Sequence, residues 1–108
     1  MKKGSQIIKV MSQRVSVTPC DAAGWDTGSF GQYCPASNTI KVKDYVVQDV
    51  MDNTICHELC HVIETMVGCI QLTEEQIQAM GFGWYTIIRD NPEFIKRLQQ
   101  HAKYAEQK

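Results

Sequence analysis

The segment His57-Glu58-Leu59-Cys60-His61 combines residue types that can bind a metal ion and activate water. Two histidines four positions apart on a helix lie one turn above each other, so both imidazoles can reach one metal ion. Glu58 lies off that line, where its carboxylate can contact a water molecule on the metal. This is the H-E-x-x-H pattern of zinc peptidases, in which the carboxylate takes a proton from the water. The motif predicts peptide-bond hydrolysis, with His57 and His61 as metal ligands and Glu58 as general base.

The alternative interpretation is a core helix that carries its histidines by chance. Ile55, Leu59, Val62, Ile63 and Met66 make this helix apolar over most of its circumference, as in a buried helix. However, the chain has three histidines and two of them fall in the motif, which favours a metal site. Cys60 shares the histidine face and could add a thiolate, although a cysteine in an apolar helix more often acts as a small buried hydrophobe.

Length and composition predict one globular domain spanning residues 1–108. The net charge is −1 and there is no basic run, which argues against nucleic acid as a partner. The sequence shows no apolar run long enough to cross a membrane and no signal peptide, so we expect a cytoplasmic protein. The five cysteines are an odd number, and in a reducing compartment all of them are expected to be free thiols.

The sequence pattern of the first half of the chain predicts β-strands. Residues 6–11 and 13–18 have extended patterns, and residues 32–34 and 39–43 read as two strands joined by a turn at 35–38. In the last strand Ile40 and Val42 face one way while Thr39, Lys41 and Lys43 face the other, which predicts burial on one face only. The polar stretch from Cys20 to Gly31, which contains Trp25 and Phe30, is a predicted loop that could wall a substrate cleft.

The second half reads as three helices. The motif helix is predicted from about residue 47 to Val67, ending at Gly68, with Asp49 or Asp52 in its first turn. Thr73 and Gln76 form a capping box for a second helix, whose apolar positions are Ile77, Met80, Gly81, Trp84, Ile87 and Ile88. Asn91 and Pro92 start a third helix, with an inward stripe of Phe94, Ile95 and Leu98. The predicted fold class is α+β: a small, mainly antiparallel sheet followed by three helices.

The order of these motifs resembles that of small zincin-like metallopeptidases of phages and prophages. The resemblance lies in H-E-L-x-H-x-I-E after a strand hairpin, then L-T-E-E-Q and an R-D-N-P break, between about Thr39 and Phe94. More distantly the chain is similar to the ImmA/IrrE family, whose members carry an H-E-L-x-H helix. The resemblance implies a small sheet packed on an active-site helix, a single Zn²⁺ and a peptide or protein substrate. In ImmA-like members the chemistry is tied to cleaving or inactivating a repressor.

A catalytic zinc site needs a third protein ligand. In the families that this chain resembles, that ligand is often a glutamate of the helix after the motif helix, which implies Glu75 or else Glu74. Gln78 occupies a position where relatives could carry an acid, and Glu64, three residues after His61, is a further alternative on the motif helix. Donors for the oxyanion that develops in hydrolysis could be Tyr33, Tyr85, His101 or Tyr104.

A second function remains open from the sequence. A domain this small has little chain with which to wall a peptide groove, so the motif could also belong to a zinc-binding regulatory module that holds a partner and cuts nothing. The two hypotheses differ in whether the carboxylate of Glu58 is needed.

Overall fold

A computed structural model of the chain describes residues 4–20, 30–44 and 46–107, with side chains described up to residue 100. The strands are β1 (Gln6–Val10), β2 (Gln13–Cys20), β3 (Gly31–Cys34) and β4 (Thr39–Lys43). The helices are α1 (Gln48–Val67), α2 (Glu74–Asp90) and α3 (Pro92–Gln107). The predicted α+β class is therefore confirmed. Most of the predicted loop, including Trp25, and the side chains of His101 and Tyr104 lie outside the described residues.

The four strands form one sheet in the order β1-β2-β4-β3. The β1–β2 and β3–β4 pairs are antiparallel, in agreement with the mainly antiparallel sheet that the sequence predicts. The pair between them, β2–β4, is parallel, and the sequence patterns did not indicate it. Asn38 fixes this junction: its backbone is left-handed (φ 52°), and its side-chain amide donates to the carbonyl of Arg14, at 2.8 Å. The β3–β4 hairpin is thereby placed with β4 inside the sheet and β3 at its edge.

The main core lies between one face of the sheet and α1. The strands contribute fully buried β-branched side chains, and α1 lays its own apolar side chains across them; the buried members are Val15, Val17, Ile40, Val42, Met51, Ile55 and Val62. β3 lies close to α1 at Gly31, where an added Cβ would lie 2.5 Å from the Thr54 methyl group and 3.4 Å from Cγ of Glu58. The edge strand is thus held directly against the motif helix.

The burial of β4 differs from the expectation at its last residue. Ile40 and Val42 are buried as predicted, but Lys43, expected on the exposed face, is only 7% exposed. Its ammonium group lies 5.6 Å from the centre of the Phe30 ring. A lysine can bury its aliphatic stem in this way while its charge lies over an aromatic ring. The exposure predicted for Lys43 from the alternation of residue types along β4 is therefore wrong.

The boundaries of α1 and α2 agree with the sequence signals. Gly68 ends α1 in the left-handed conformation (φ 78°), and its N–H donates to the carbonyl of Glu64. Thr73 caps α2: its hydroxyl accepts from the Gln76 N–H, and the Gln76 side chain accepts from the Thr73 N–H. The capping box is therefore confirmed, and it fixes Glu74 as the first residue of α2.

The predicted apolar stripes of α2 and α3 are only partly buried. On α2 the buried line is Ile77, Gly81 and Tyr85. The other predicted apolar positions, Met80, Trp84, Ile87 and Ile88, are each 41–49% exposed. On α3, Phe94 and Leu98 are 42% and 49% exposed, and only Ile95 of the predicted inward stripe is partly buried. The reason is the break at Asn91, after which α3 packs only sparsely against α2.

Candidate metal centre

α1 brings the histidine pair and Glu58 together. His57 and His61 lie one turn apart with ring centroids 5.3 Å from each other. One donor atom from each of His57, Glu58 and His61 lies within 4.8 Å of the others, so this group could hold a metal ion. Helical spacing alone accounts for the juxtaposition, and the two motif histidines share one helical face as predicted.

Glu74 joins this group from the neighbouring helix. Its Oε1 lies 2.6 Å from Nε2 of His57, and its Oε2 lies 3.3 Å from Nε2 of His61. One carboxylate therefore spans the two imidazole nitrogens. Its side chain is 66% exposed, which leaves this side of the site open to solvent. Two imidazoles and one carboxylate from two helices form a donor set that suits a divalent transition metal.

Gly81 explains how α2 comes close enough. A Cβ at this position would lie 2.7 Å from the Cα of His57, nearer than real Cβ atoms approach backbone. The two helices therefore touch backbone to backbone beside the first histidine of the motif. Glu74 is seven residues, nearly two full turns, before Gly81, so both lie on the face of α2 that meets α1.

Glu58 is the most enclosed acidic residue of the site, with 8% of its surface exposed. Burial raises the pKa of its carboxyl group, and the charge of Glu74 acts in the same direction. The two histidines and a hydrogen bond from the Tyr33 backbone lower the pKa but do not outweigh burial. A carboxyl group with a raised pKa is a better proton acceptor than an ordinary surface glutamate.

A cavity of about 920 Å³ opens beside these residues. His57, Glu58 and Glu74 line it on the site side, and two aromatic rings, Phe30 and Phe82, also face it. The rest of the lining is mixed in chemistry and consists of Gly31, Val50, Asn53, Thr54, Glu75, Gln78 and Ala79. The opening is large enough for several residues of an extended peptide, and its lining is mixed apolar and polar, as in many ligand sites.

The other residues considered for the third ligand lie differently. Glu75 and Gln78 line the cavity, but within the described structure neither makes a hydrogen bond or ion pair to an imidazole. Glu64 meets His61 at Nδ1, 3.7 Å away, the ring nitrogen on the other side from Glu74. The contacts therefore favour Glu74 over Glu75, Gln78 and Glu64 as the third donor.

The remaining candidates have other partners. The Tyr33 hydroxyl donates to Asn38, at 3.0 Å, in the β3–β4 turn. Tyr85 is buried, with the guanidinium of Arg89 over its ring at 5.2 Å. Cys60 is buried, and burial together with the charge of Glu58 raises the pKa of its thiol. A raised pKa disfavours the thiolate that metal binding needs, so Cys60 fits the role of a small hydrophobe.

The sequence did hold a signal for Glu74. A glycine inside a helix lowers its stability and can be there for packing, and Gly81 shares its face with Glu74 and not with Glu75.

No protein-family model matches the chain, and no curated protein or solved structure is significantly similar to it. Among the described residues, no helix is both long and apolar enough to span a lipid bilayer. The geometry of the site is therefore the main guide to function.

Proposed function

We propose that this protein is a zinc-dependent peptidase whose metal is held by His57, His61 and Glu74, with Glu58 as general base. The observation that carries the proposal is the position of the Glu74 carboxylate across Nε2 of both histidines. A chance H-E-x-x-H on a core helix would not require an acidic side chain from another element on the same two nitrogens. Three protein donors are what catalytic zinc sites use, with a further position left for water or substrate.

The residues divide the chemistry between them. Zinc, when bound, acts as a Lewis acid on the scissile carbonyl and makes water acidic enough to lose a proton near neutral pH. Glu58, enclosed beside the histidines, is placed to accept a proton from an attacking water and to donate it to the leaving amine. The cavity lined by Phe30 and Phe82 is the proposed binding site for the peptide. Because Glu58 is linked to the Tyr33 backbone at the sheet edge, its carboxylate is held in place by β3 as well as by α1.

The proposed substrate is a peptide or protein, and the proposed setting is the cytoplasm of a phage-bearing or prophage-bearing cell. The resemblance of H-E-L-x-H-x-I-E and its flanks to phage zincin-like and ImmA/IrrE proteins supports this setting. The volume of the cavity, about 920 Å³, is enough for several residues of a peptide. A non-catalytic zinc-binding regulatory module is the competing function, and it needs the metal ligands but not the base.

The test compares the unmutated protein with Glu58→Gln, which keeps the size and hydrogen bonding of the side chain but removes the base. Both proteins are expected to bind one zinc per chain by elemental analysis, whereas His57→Ala or His61→Ala should lose it. New N-termini across the proteome of expressing cells report cleavage. We expect Glu58→Gln to lower cleavage by about 10²–10⁴-fold, the range for loss of a general base.

Two results would contradict the proposal in different ways. If the unmutated protein and Glu58→Gln bind zinc and give the same N-termini and the same biological effect, the regulatory module replaces the peptidase. If the unmutated protein holds no metal after zinc supplementation, the histidine pair is structural and both functions fall.

A further inference from the structure

Glu64 lies one turn after His61 on α1, and its side chain contacts two separate parts of the site. Oε1 is 3.7 Å from Nδ1 of His61. Oε2 accepts a hydrogen bond from the backbone N–H of Leu72, in the segment between α1 and α2. The side chain is only 21% exposed, so it is enclosed between these partners. The proposed metal ligands leave this carboxylate without a role.

The contact with His61 bears on which nitrogen can bind metal. Nε2 of His61 faces the Glu74 carboxylate at 3.3 Å, so a metal between these residues meets Nε2. Nε2 must then be unprotonated, and the proton of the neutral ring must sit on Nδ1. A carboxylate opposite Nδ1 favours that tautomer, as in the carboxylate–histidine–zinc arrangement of many metal sites.

The contact with Leu72 bears on where α2 begins. Leu72 directly precedes Thr73, the cap of α2, and Glu74 follows the cap. The backbone carbonyl of Glu64 also accepts from the N–H of Gly68, at 3.1 Å, where the chain leaves α1. One residue therefore fixes both ends of the connection between the two helices.

We infer that Glu64 is a positioning residue of the metal centre. It sets the tautomer and orientation of His61 through one oxygen and fixes the start of the Glu74-bearing helix through the other. This inference rests on the proposed function for the identity of the metal site. Glu64 is then not the third metal ligand, an alternative that the sequence left open. It positions two of the ligands, His61 and Glu74.

The test is Glu64→Gln, examined by two measurements. A glutamine has one oxygen, which the Leu72 N–H requires, so its amide N–H₂ faces Nδ1 of His61. A donor at that position forces Nδ1 to accept, which places the ring proton on Nε2. In the metal-free protein the Glu74 carboxylate also faces Nε2 of His61, at 3.3 Å, so the tautomer is measured in a Glu74→Ala background. In long-range ¹H–¹⁵N spectra at about pH 8, where free imidazoles are neutral, we expect Nδ1–H in Glu74→Ala and Nε2–H in Glu74→Ala/Glu64→Gln. We expect zinc affinity, measured by competition with a chromophoric chelator, to fall about 10- to 100-fold.

The control is Glu93→Gln on α3, which removes one negative charge outside the site and should leave tautomer and affinity unchanged. Urea unfolding of each variant confirms that it is folded. An unchanged affinity in Glu64→Gln overturns the inference, and so does a fall in affinity without a change of tautomer, which reports only lost charge. An Nε2–H tautomer in Glu74→Ala, where Glu64 is intact, overturns it as well. If the unmutated protein binds no zinc, the proposed function falls, while the tautomer measurement still decides the role of Glu64.

Discussion

At the scale of single residues, the burial of the Glu58 carboxylate is expected to lower the free energy of unfolding. Glu58 is nearly buried, and burial is the main reason that its pKa is raised. A raised pKa in the native state means that the folded chain binds this proton more tightly than the unfolded chain does. The charged carboxylate therefore destabilises the metal-free protein above the folded pKa. That cost disappears below the unfolded value, near 4.5.

The sign of this linkage gives a prediction for metal-free protein in chelator. Glu58→Gln should raise the free energy of unfolding at pH 7, because the glutamine carries no charge to bury. The difference from the unmutated protein should shrink as the pH falls through the folded pKa towards 4, where both side chains are neutral. Urea unfolding at several pH values measures it, with the exposed Glu93→Gln as the charge control. A variant less stable than the unmutated protein at pH 7 would show that the carboxylate is well solvated or well paired.

At the scale of elements, the sequence predicted where the helices begin and end better than how they meet. Gly68 as the end of α1 and the Thr73–Gln76 box are local signals, and the structure has both. Whether Glu74 or Glu75 faces the histidines depends on the rotation of α2 against α1, because neighbouring residues on a helix differ by about 100°. That rotation is set by the contact of Gly81 with His57. The parallel β2–β4 pair was likewise missed, because periodicity reports faces of a strand and not its neighbours.

The helix contact gives a prediction with a matched pair of glycines. Gly81→Ala should destabilise the protein by about 1–3 kcal/mol, the usual cost of overpacking, and should weaken zinc binding because α2 moves off His57. Gly83, two residues on, has nothing within 4 Å of an added Cβ. Gly83→Ala should therefore stabilise by about 0.5–1 kcal/mol through helix propensity. Urea unfolding midpoints and zinc titrations measure the stability and zinc affinity of both variants. Equal changes in Gly81→Ala and Gly83→Ala would refute the close contact.

At the scale of the whole molecule, the proposed metal joins two helices that otherwise meet through a short line of buried residues, Ile77, Gly81 and Tyr85. α3 and the outer side of α2 leave several large apolar side chains half exposed, so this end of the protein has little core of its own. A ligand that binds only the folded state stabilises that state by mass action. Metal should therefore matter more here than in a domain with a larger helical core.

We accordingly expect zinc to raise the Tm. Free zinc at a hundred times its dissociation constant contributes about 2.7 kcal/mol, which corresponds to a rise of roughly 10 °C or more in a domain of this size. Thermal unfolding with added zinc and with chelator measures the shift. The double variant His57→Ala/His61→Ala serves as control and should show no zinc-dependent change. A zinc-dependent rise that persists in the double variant would place the bound metal elsewhere.

His57 and Glu74 are 17 residues apart, so the proposed metal centre is built within one helical hairpin. Closing so short a loop costs little chain entropy, and contacts near in sequence tend to form early in folding. We therefore expect zinc to speed refolding of the metal-depleted chain as well as to slow its unfolding. Stopped-flow refolding at several zinc concentrations tests this, and a zinc effect on unfolding alone would mean that the hairpin closes late. Glu58, by contrast, is enclosed only when β3, from the first half of the chain, packs against α1. A refolding molecule would thus acquire its ion before Glu58 is enclosed at the site.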